Sequence, residues 1–135
     1  MHHILIVEDD KHLMGALKIS FGLEGFSVDI ATNGDEALKR IRQRKPDLIL
    51  LDLLMPKKDG FHVLKEMQKD PELSFIPVIV LSNLDNDSDI KKAFEMGADD
   101  YFIKAQHPIE EVVEKVKSYI GGERPGKTKR AKKSK

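Results

Sequence analysis

Short runs rich in apolar residues alternate with longer segments of mixed polarity along the first 120 residues. Each run is four to six residues or fewer and is closed by polar or turn-forming residues. A buried parallel strand has this appearance because both of its faces are covered. The pattern predicts five strands, at residues 4–7, 26–31, 48–51, 78–81 and 101–103.

The segments between these runs have helical periodicity, with apolar residues three and four positions apart. Asn33 suits an N-cap, Pro108 suits the first helical position, and Gly25 and Gly97 suit helix ends. The pattern predicts helices at residues 11–24, 34 to about 44, 60–69, 89–96 and 108–120.

Strict alternation of strand and helix predicts an α/β fold with right-handed crossovers and helices on both faces of the sheet. A closed barrel needs eight such units and roughly 250 residues, and this chain has 135. The expected architecture is therefore an open, doubly wound five-stranded parallel sheet. A strand order of 2-1-3-4-5 places the first and third strands at the switch point, where such sheets bind ligands.

The composition excludes several classes of protein. The chain has no cysteine, so it has neither a disulfide framework nor a thiolate zinc site. Without an apolar run near the roughly 20 residues of a membrane helix, and without a signal peptide, we predict a cytoplasmic protein with no membrane span. The histidines show no metal-ligand spacing and are predicted to be exposed; they are His2, His3, His12, His62 and His107.

The net charge is zero, but the charges are unevenly distributed. Residues 1–120 contain 16 Lys and Arg against 22 Asp and Glu, whereas residues 121–135 contain 7 against 1. The basic segment has almost no apolar residues, so we predict a folded domain at 1–121 and a disordered tail at 122–135. A solubilising tail is the simpler interpretation, and salt-sensitive anion binding is the alternative.

Chemically active side chains follow four of the predicted strands. Because the carboxyl ends of parallel strands share one edge of the sheet, these side chains are expected to lie close together. They are Glu8, Asp9 and Asp10 after the first strand, Asp52 after the third, Ser82 after the fourth and Lys104 after the fifth.

This combination indicates phosphoryl transfer. Clustered carboxylates repel one another and are the oxygen ligands that Mg²⁺ prefers. Ser82 and Lys104 could bind phosphoryl oxygens, and the Asp52 carboxylate could form an acyl phosphate. Each residue alone has a commoner role, as a helix cap, a turn residue or a surface charge, but all of them at one edge favour a site. The pattern does not choose between Asp9 and Asp10.

The motifs around these residues resemble those of a known family. They are Ile4-Leu5-Ile6-Val7-Glu8-Asp9-Asp10, Asp52-Leu53-Leu54-Met55-Pro56 with Asp59-Gly60, Val80-Leu81-Ser82, and Gly97-Ala98-Asp99-Asp100-Tyr101-Phe102-Ile103-Lys104. With them, residues 3–120 resemble a response-regulator receiver domain of two-component signalling, of the stand-alone, chemotaxis-regulator-like kind. The resemblance implies a flavodoxin-like (βα)5 fold.

The resemblance also implies the acidic side of the site. Asp52 is then the phosphoacceptor, and Mg²⁺ is the cofactor. Asp9 contacts the ion directly, Glu8 contacts it through water, and the backbone carbonyl of Leu54 is a further ligand beside Asp52. Asp10 lies outside the pocket.

The basic side of the site follows from the same resemblance. Ser82 and Lys104 bind the phosphoryl group, and Tyr101 changes rotamer with activation. Two positions depart from the family pattern, since Asn83 replaces a small residue and Ala105 replaces a proline that follows a cis bond. A cis bond before a residue other than proline costs roughly 2.5–4 kcal/mol, so we do not expect that geometry here.

The predicted function is that of a single-domain response regulator. It takes a phosphoryl group on Asp52 from a histidine kinase or a histidine phosphotransfer protein, and signals by contacts with a downstream protein. It catalyses only its own phosphorylation and dephosphorylation, binds no specific nucleic acid, and is a monomer or weak dimer. The alternatives are a Mg²⁺-dependent phosphatase or phosphotransferase with an aspartate nucleophile, and a degenerate receiver that only binds partners.

Overall fold

Five strands and five helices alternate in the computed structural model, which describes residues 2–55 and 59–120. The elements are β1 (His3–Val7), α1 (Lys11–Leu23), β2 (Ser27–Ala31), α2 (Gly34–Gln43), β3 (Leu48–Leu51), α3 (Gly60–Lys69), β4 (Val78–Ser82), α4 (Asp87–Glu95), β5 (Asp100–Ile103) and α5 (Ile109–Ile120). All strand pairs are parallel, and the order is β2-β1-β3-β4-β5. The predicted fold and strand order are confirmed.

The two faces of the sheet carry separate hydrophobic clusters. Leu5 and Val7 of β1 belong to the cluster under α2, α3 and α4, whereas Ile4 and Ile6 belong to the cluster under α1 and α5. Successive side chains of a strand point to opposite faces, so both sets must be apolar when both faces are covered. This arrangement accounts for the uninterrupted apolar runs of the central strands.

The strand register brings the chemically active residues to one edge of the sheet. Val7 pairs with Leu51 across β1 and β3, so the residues that follow these strands are neighbours. The Asp52 amide donates to the Val7 carbonyl at 3.0 Å. The Lys104 amide donates to the Ser82 carbonyl at 2.9 Å, which joins the ends of β4 and β5 in the same way.

Capping interactions move some element ends away from the predicted positions. Helix α4 begins at Asp87 instead of residue 89, because the Asn86 side chain accepts from the Asp89 amide and closes the first turn. Helix α5 begins at Ile109, since the carbonyl of Pro108 accepts the first helical hydrogen bond. Other ends differ by one residue: α1 ends at Leu23, α2 at Gln43 and α4 at Glu95, while β2 begins at Ser27 and β5 at Asp100.

Two predicted exposures are wrong. His3 is only 4% exposed, and its Nε2 lies 3.0 Å from Asp29 Oδ2 at the amino edge of the sheet. Phe94 was assigned to the apolar side of α4, but it is exposed while Ala93 is buried.

Some predictions fall outside the described residues. These are the end of the third strand at Pro56 and the disordered tail at 122–135. None of the described helices is both long enough and apolar enough to span a membrane.

Candidate functional site

Three carboxylates cluster at the carboxyl ends of β1 and β3. Glu8, Asp9 and Asp52 each offer an oxygen within 4.8 Å of the others. Glu8 and Asp52 are buried, whereas Asp9 is exposed to solvent. The cluster therefore has two inner acids and one outer acid at the point where the sheet changes winding direction.

Asp10 has a structural role beside this cluster. Its Oδ1 accepts from the amides of His12 at 3.0 Å and Leu13 at 3.2 Å, so Asp10 is the N-cap of α1. Its own amide donates to Glu8 Oε2 at 3.1 Å. The choice that the sequence left open is thus resolved: Asp9 joins the acid cluster, and Asp10 orients Glu8 through the backbone.

Lys104 bridges the two buried acids. Its Nζ lies 3.0 Å from a carboxylate oxygen of Glu8 and 3.0 Å from Asp52 Oδ2. Burial lowers the pKa of the ammonium, but the hydrogen bond to Glu8 and the charge of Asp52 outweigh burial, and the pKa is raised above its ordinary value. Lys104 is therefore a permanent cation at this edge.

Glu8 carries much of the electrostatic cost of the cluster. Burial, and then the negative charge of Asp52, raise the pKa of Glu8 to about 7, although hydrogen bonds from Lys104 and from the Asp10 amide oppose this shift. Two buried acids share one ammonium, and the exposed Asp9 adds a further negative charge. The cluster thus favours binding of an additional cation.

The Asp52 carboxylate is held in a defined orientation. Its Oδ1 accepts from the Leu54 amide at 3.1 Å, and its Oδ2 accepts from Lys104. Leu54 itself is 52% exposed, so the loop after β3 separates the carboxylate from solvent only in part. The Leu54 carbonyl as a metal ligand stays a prediction.

Ser82 and Tyr101 meet at the loop between β4 and α4. The buried Ser82 hydroxyl accepts from the Leu84 amide at 3.3 Å, and the Tyr101 hydroxyl donates to the Leu84 carbonyl at 2.6 Å. Burial raises the pKa of Tyr101, which keeps its hydroxyl a donor. The part of the Leu84 backbone was not predicted, because a peptide group carries no sequence signal.

The residue after Lys104 does not take the unusual geometry. No peptide bond in residues 2–55 and 59–120 is cis, and this includes the bond from Lys104 to Ala105. The expectation from the missing proline is confirmed.

The donor set of the acid cluster fits Mg²⁺. It offers three carboxylates and no sulfur or imidazole ligand, and hard oxygen donors select ions such as Mg²⁺. The two buried acids share Lys104 as their only cationic contact among the described residues. A doubly wound sheet with an acid pocket at its switch point defines the class of the protein.

Comparison with known proteins identifies the family. Residues 4–117 match the family model described as "Response regulator receiver domain", and the chain belongs to this family. Such domains are signalling modules of two-component systems and not classical enzymes. They are phosphorylated on an aspartate, generally bind Mg²⁺ at an acidic pocket and interact with histidine kinases.

Relatives and solved structures agree with this assignment. The probable transcriptional regulator ycf27 of Cyanidium caldarium is 43% identical over 109 residues, which cover 81% of this chain and 43% of that protein. A putative response regulator from Chloroflexus aurantiacus has a TM-score of 0.82 at 32% identity, covering 89% of this chain and 98% of that one. The Mn²⁺-bound form of response regulator Rcp1 has a TM-score of 0.80 at 30% identity, with coverages of 88% and 94%. The chain spans about half the length of the curated relatives it matches.

Proposed function

We propose that Asp52 accepts a phosphoryl group from a histidine kinase or a histidine phosphotransfer protein. The observation that carries the proposal is the buried Asp52 carboxylate, with Oδ1 on the Leu54 amide and Oδ2 on Lys104. An oriented carboxylate beside a fixed cation is what a phosphoryl transfer step requires of a protein, because positioning and electrostatics supply most of the catalysis.

In this step a carboxylate oxygen of Asp52 attacks the phosphorus of a phosphohistidine. A phosphorus–oxygen bond forms and the phosphorus–nitrogen bond breaks. The leaving imidazole nitrogen keeps the electron pair of that bond and takes up a proton. The product is an acyl phosphate on Asp52.

Glu8, Asp9, Asp52 and the Leu54 carbonyl would hold Mg²⁺. When bound, the ion neutralises the negative charge that these acids and the phosphoryl oxygens share. The Mn²⁺-bound structure of the similar response regulator Rcp1 supports a divalent cation at this site. Asp10 stays outside this set because its carboxylate caps α1.

Lys104 and Ser82 bind the phosphoryl oxygens in this proposal. The Lys104 ammonium already contacts the oxygen of Asp52 that faces Glu8, and the Ser82 hydroxyl ends the neighbouring strand. A new hydrogen bond at Ser82 would compete with its contact to the Leu84 amide. Tyr101 then responds, because it is bound to the carbonyl of the same leucine.

The proposed receiver domain covers residues 1–121, and residues 122–135 form a separate basic segment. The signal passes through phosphorylation-dependent contacts of this domain with a downstream protein. The domain acts in the cytoplasm as a monomer or weak dimer and makes no specific contact with nucleic acid. The longer relatives are named as transcriptional regulators, so the full set of partners is part of the proposal.

Intact-mass measurement with Mg²⁺ and acetyl phosphate tests the proposal. The wild type should gain one phosphoryl group, Asp52→Asn should gain none, and Asp9→Ala should need more Mg²⁺ for the same labelling. Asp10→Asn is the matched control, because an asparagine also caps a helix, and it should be labelled normally. Labelling of Asp52→Asn at the wild-type rate would refute the assignment. Turnover of the donor without an adduct would favour the phosphatase alternative.

A further inference from the structure

The loop that carries Lys104 is anchored by a tight turn at the end of β5. The amides of Gln106 and His107 both donate to the Ile103 carbonyl, at 2.9 and 3.1 Å. Lys104 is the first residue of this turn and Ala105 the second. Alanine does not restrict its backbone as the proline of the family pattern does. Another group must therefore fix the path of this loop.

The His107 side chain connects this loop to three parts of the fold. The Ile103 amide lies 3.2 Å from its Nδ1, and Phe102 of the core packs edge-on against the ring with centroids 5.1 Å apart. Its Nε2 lies 3.7 Å from Glu111 Oε2 in the first turn of α5. The imidazole thus contacts the strand before the loop and the helix after it.

Strand β5 lies at the edge of the sheet, which explains why the Ile103 amide needs a side-chain partner. The Lys104 amide points into the sheet towards Ser82, so the alternation of the strand turns the Ile103 amide outwards. The Ile103 carbonyl also lies 3.2 Å from His107 Nδ1, but it already accepts two amides. Nδ1 is therefore the acceptor of the Ile103 amide, and the hydrogen on Nε2 faces Glu111.

We propose that His107 is a positioning residue for phosphoryl transfer. Its Nδ1 fixes the Ile103 amide and the turn that follows, and so holds the Lys104 ammonium between Asp52 and Glu8. This proposal rests on the proposed role of Asp52. It assigns to an imidazole the restraint that the missing proline would otherwise provide.

Three variants of His107 separate the hydrogen bond from the bulk of the ring. Asparagine places its amide oxygen where Nδ1 lies, whereas glutamine carries its amide one bond further out, and leucine has no acceptor. His2→Asn is the matched control, because His2 is exposed at the opposite, amino edge of the sheet. The variants are compared in the initial rate of labelling with acetyl phosphate at saturating Mg²⁺, at a temperature where each is folded.

The expected result is rescue by asparagine alone. His107→Asn and His2→Asn should be labelled at nearly the wild-type rate, and His107→Gln and His107→Leu should be slower by about 10- to 100-fold, the scale of a misplaced catalytic group. Equal rates for all three His107 variants would overturn the proposal. Loss of rate in all three, including asparagine, would also overturn it, since packing of the ring would then be the cause.

Amide hydrogen exchange distinguishes this proposal from the proposed function. Exchange of the Ile103 and Lys104 amides can be followed without any phosphoryl donor. It should be fast in His107→Gln and His107→Leu and slow in His107→Asn. If the wild type is not labelled at all, the role of Asp52 fails, while the exchange rates still support or overturn the anchoring of the loop by His107.

Discussion

Asp52 is constrained by backbone groups on either side of it in the sequence and in the sheet. Its amide donates to Val7, its Oδ1 accepts from the amide of Leu54, and Gly60 lies against its carbonyl. The Gly60 amide also donates to the Leu53 carbonyl at 3.2 Å. These contacts depend on a close approach of α3 to the end of β3, which only a residue without a side chain permits.

Replacing Gly60 with alanine should disturb the site. A Cβ there would meet the Asp52 carbonyl and would lie 2.7 Å from Leu53 Cα, so the backbone must shift. We expect a loss of about 1–3 kcal/mol in unfolding free energy, as for other overpacked sites, and slower labelling of Asp52.

The matched control is Gly15→Ala in α1, where no atom lies within 4 Å of the added carbon. This change should stabilise the protein by about 0.5–1 kcal/mol, because alanine favours a helix over glycine, and should leave labelling unchanged. Urea unfolding and intact mass measure both effects. Equal stability of the two variants would contradict the close approach at Gly60.

The phosphorylated form should have a long lifetime, because two leucines flank the site. Hydrolysis needs a water molecule in line with the phosphorus–oxygen bond. Leu54 is half exposed and Leu84 half buried beside the pocket, and neither side chain can hydrogen-bond that water. A misplaced reacting group can cost on the order of 100-fold in rate.

The double variant Leu54→Asn with Leu84→Glu tests this prediction. Its polar side chains can orient the water, so decay of the acyl phosphate should be clearly faster than in the wild type. Decay is followed by intact mass after removal of the donor. Equal or slower decay would mean that the two leucines only pack against the neighbouring loops.

At the scale of elements, a connected set of contacts leads from the site to one face of the domain. The Ser82 hydroxyl binds the Leu84 amide, and the Leu84 carbonyl binds Tyr101. The rings of Tyr101 and Phe94 then lie 6.4 Å apart, and Phe94 is exposed on α4. A change at Ser82 therefore has a physical route to the surface formed by α4, β5 and α5.

Activation should change this face more than the opposite one. A ligand shifts a conformational equilibrium only through contacts that differ between the two states, and the Ser82 hydroxyl offers such a contact. Chemical shifts measured with and without beryllofluoride and Mg²⁺ should change mainly at residues 83–120, beyond the site itself. Ser82→Ala should reduce these changes. Changes confined to α1 and α2 would contradict the route through Leu84.

For the whole molecule, the distribution of charge makes stability depend on divalent cations. The segment 1–120 has an excess of acids over bases, and three of its carboxylates are forced together at the site. Their repulsion opposes folding, and a bound cation removes this repulsion. Mg²⁺ binding is therefore coupled to the free energy of unfolding.

Mg²⁺ should raise the melting temperature of the unphosphorylated protein. A concentration of 100 times Kd adds about 2.7 kcal/mol, which corresponds to a rise of roughly 10 °C. Asp9→Asn removes one of the repelling charges, so the metal-free variant should melt no lower than the wild type, but Mg²⁺ should stabilise it less. Asp10→Asn should keep the full rise. An equal rise in Asp9→Asn would exclude Asp9 from the metal site.

Local residue patterns were sufficient to predict the architecture. The apolar runs of β1, β3 and β4 indicate strands covered on both faces, and their alternation with amphipathic helices leaves few other topologies. The same order places Glu8, Asp52 and Lys104 at one edge, because each directly follows a parallel strand. These features depend on periodicity and chain order, which are properties of the sequence alone.

Contacts between residues distant in sequence were decided only by the tertiary structure. The burial of His3 beside Asp29, the separation of Asp9 from the capping Asp10, and the anchoring of Ile103 by His107 follow from strand register and cap geometry. The Leu84 carbonyl that receives Tyr101 is a backbone group, and every residue has one. Such choices depend on ångström-scale distances between elements, and packing of the complete core fixes those distances.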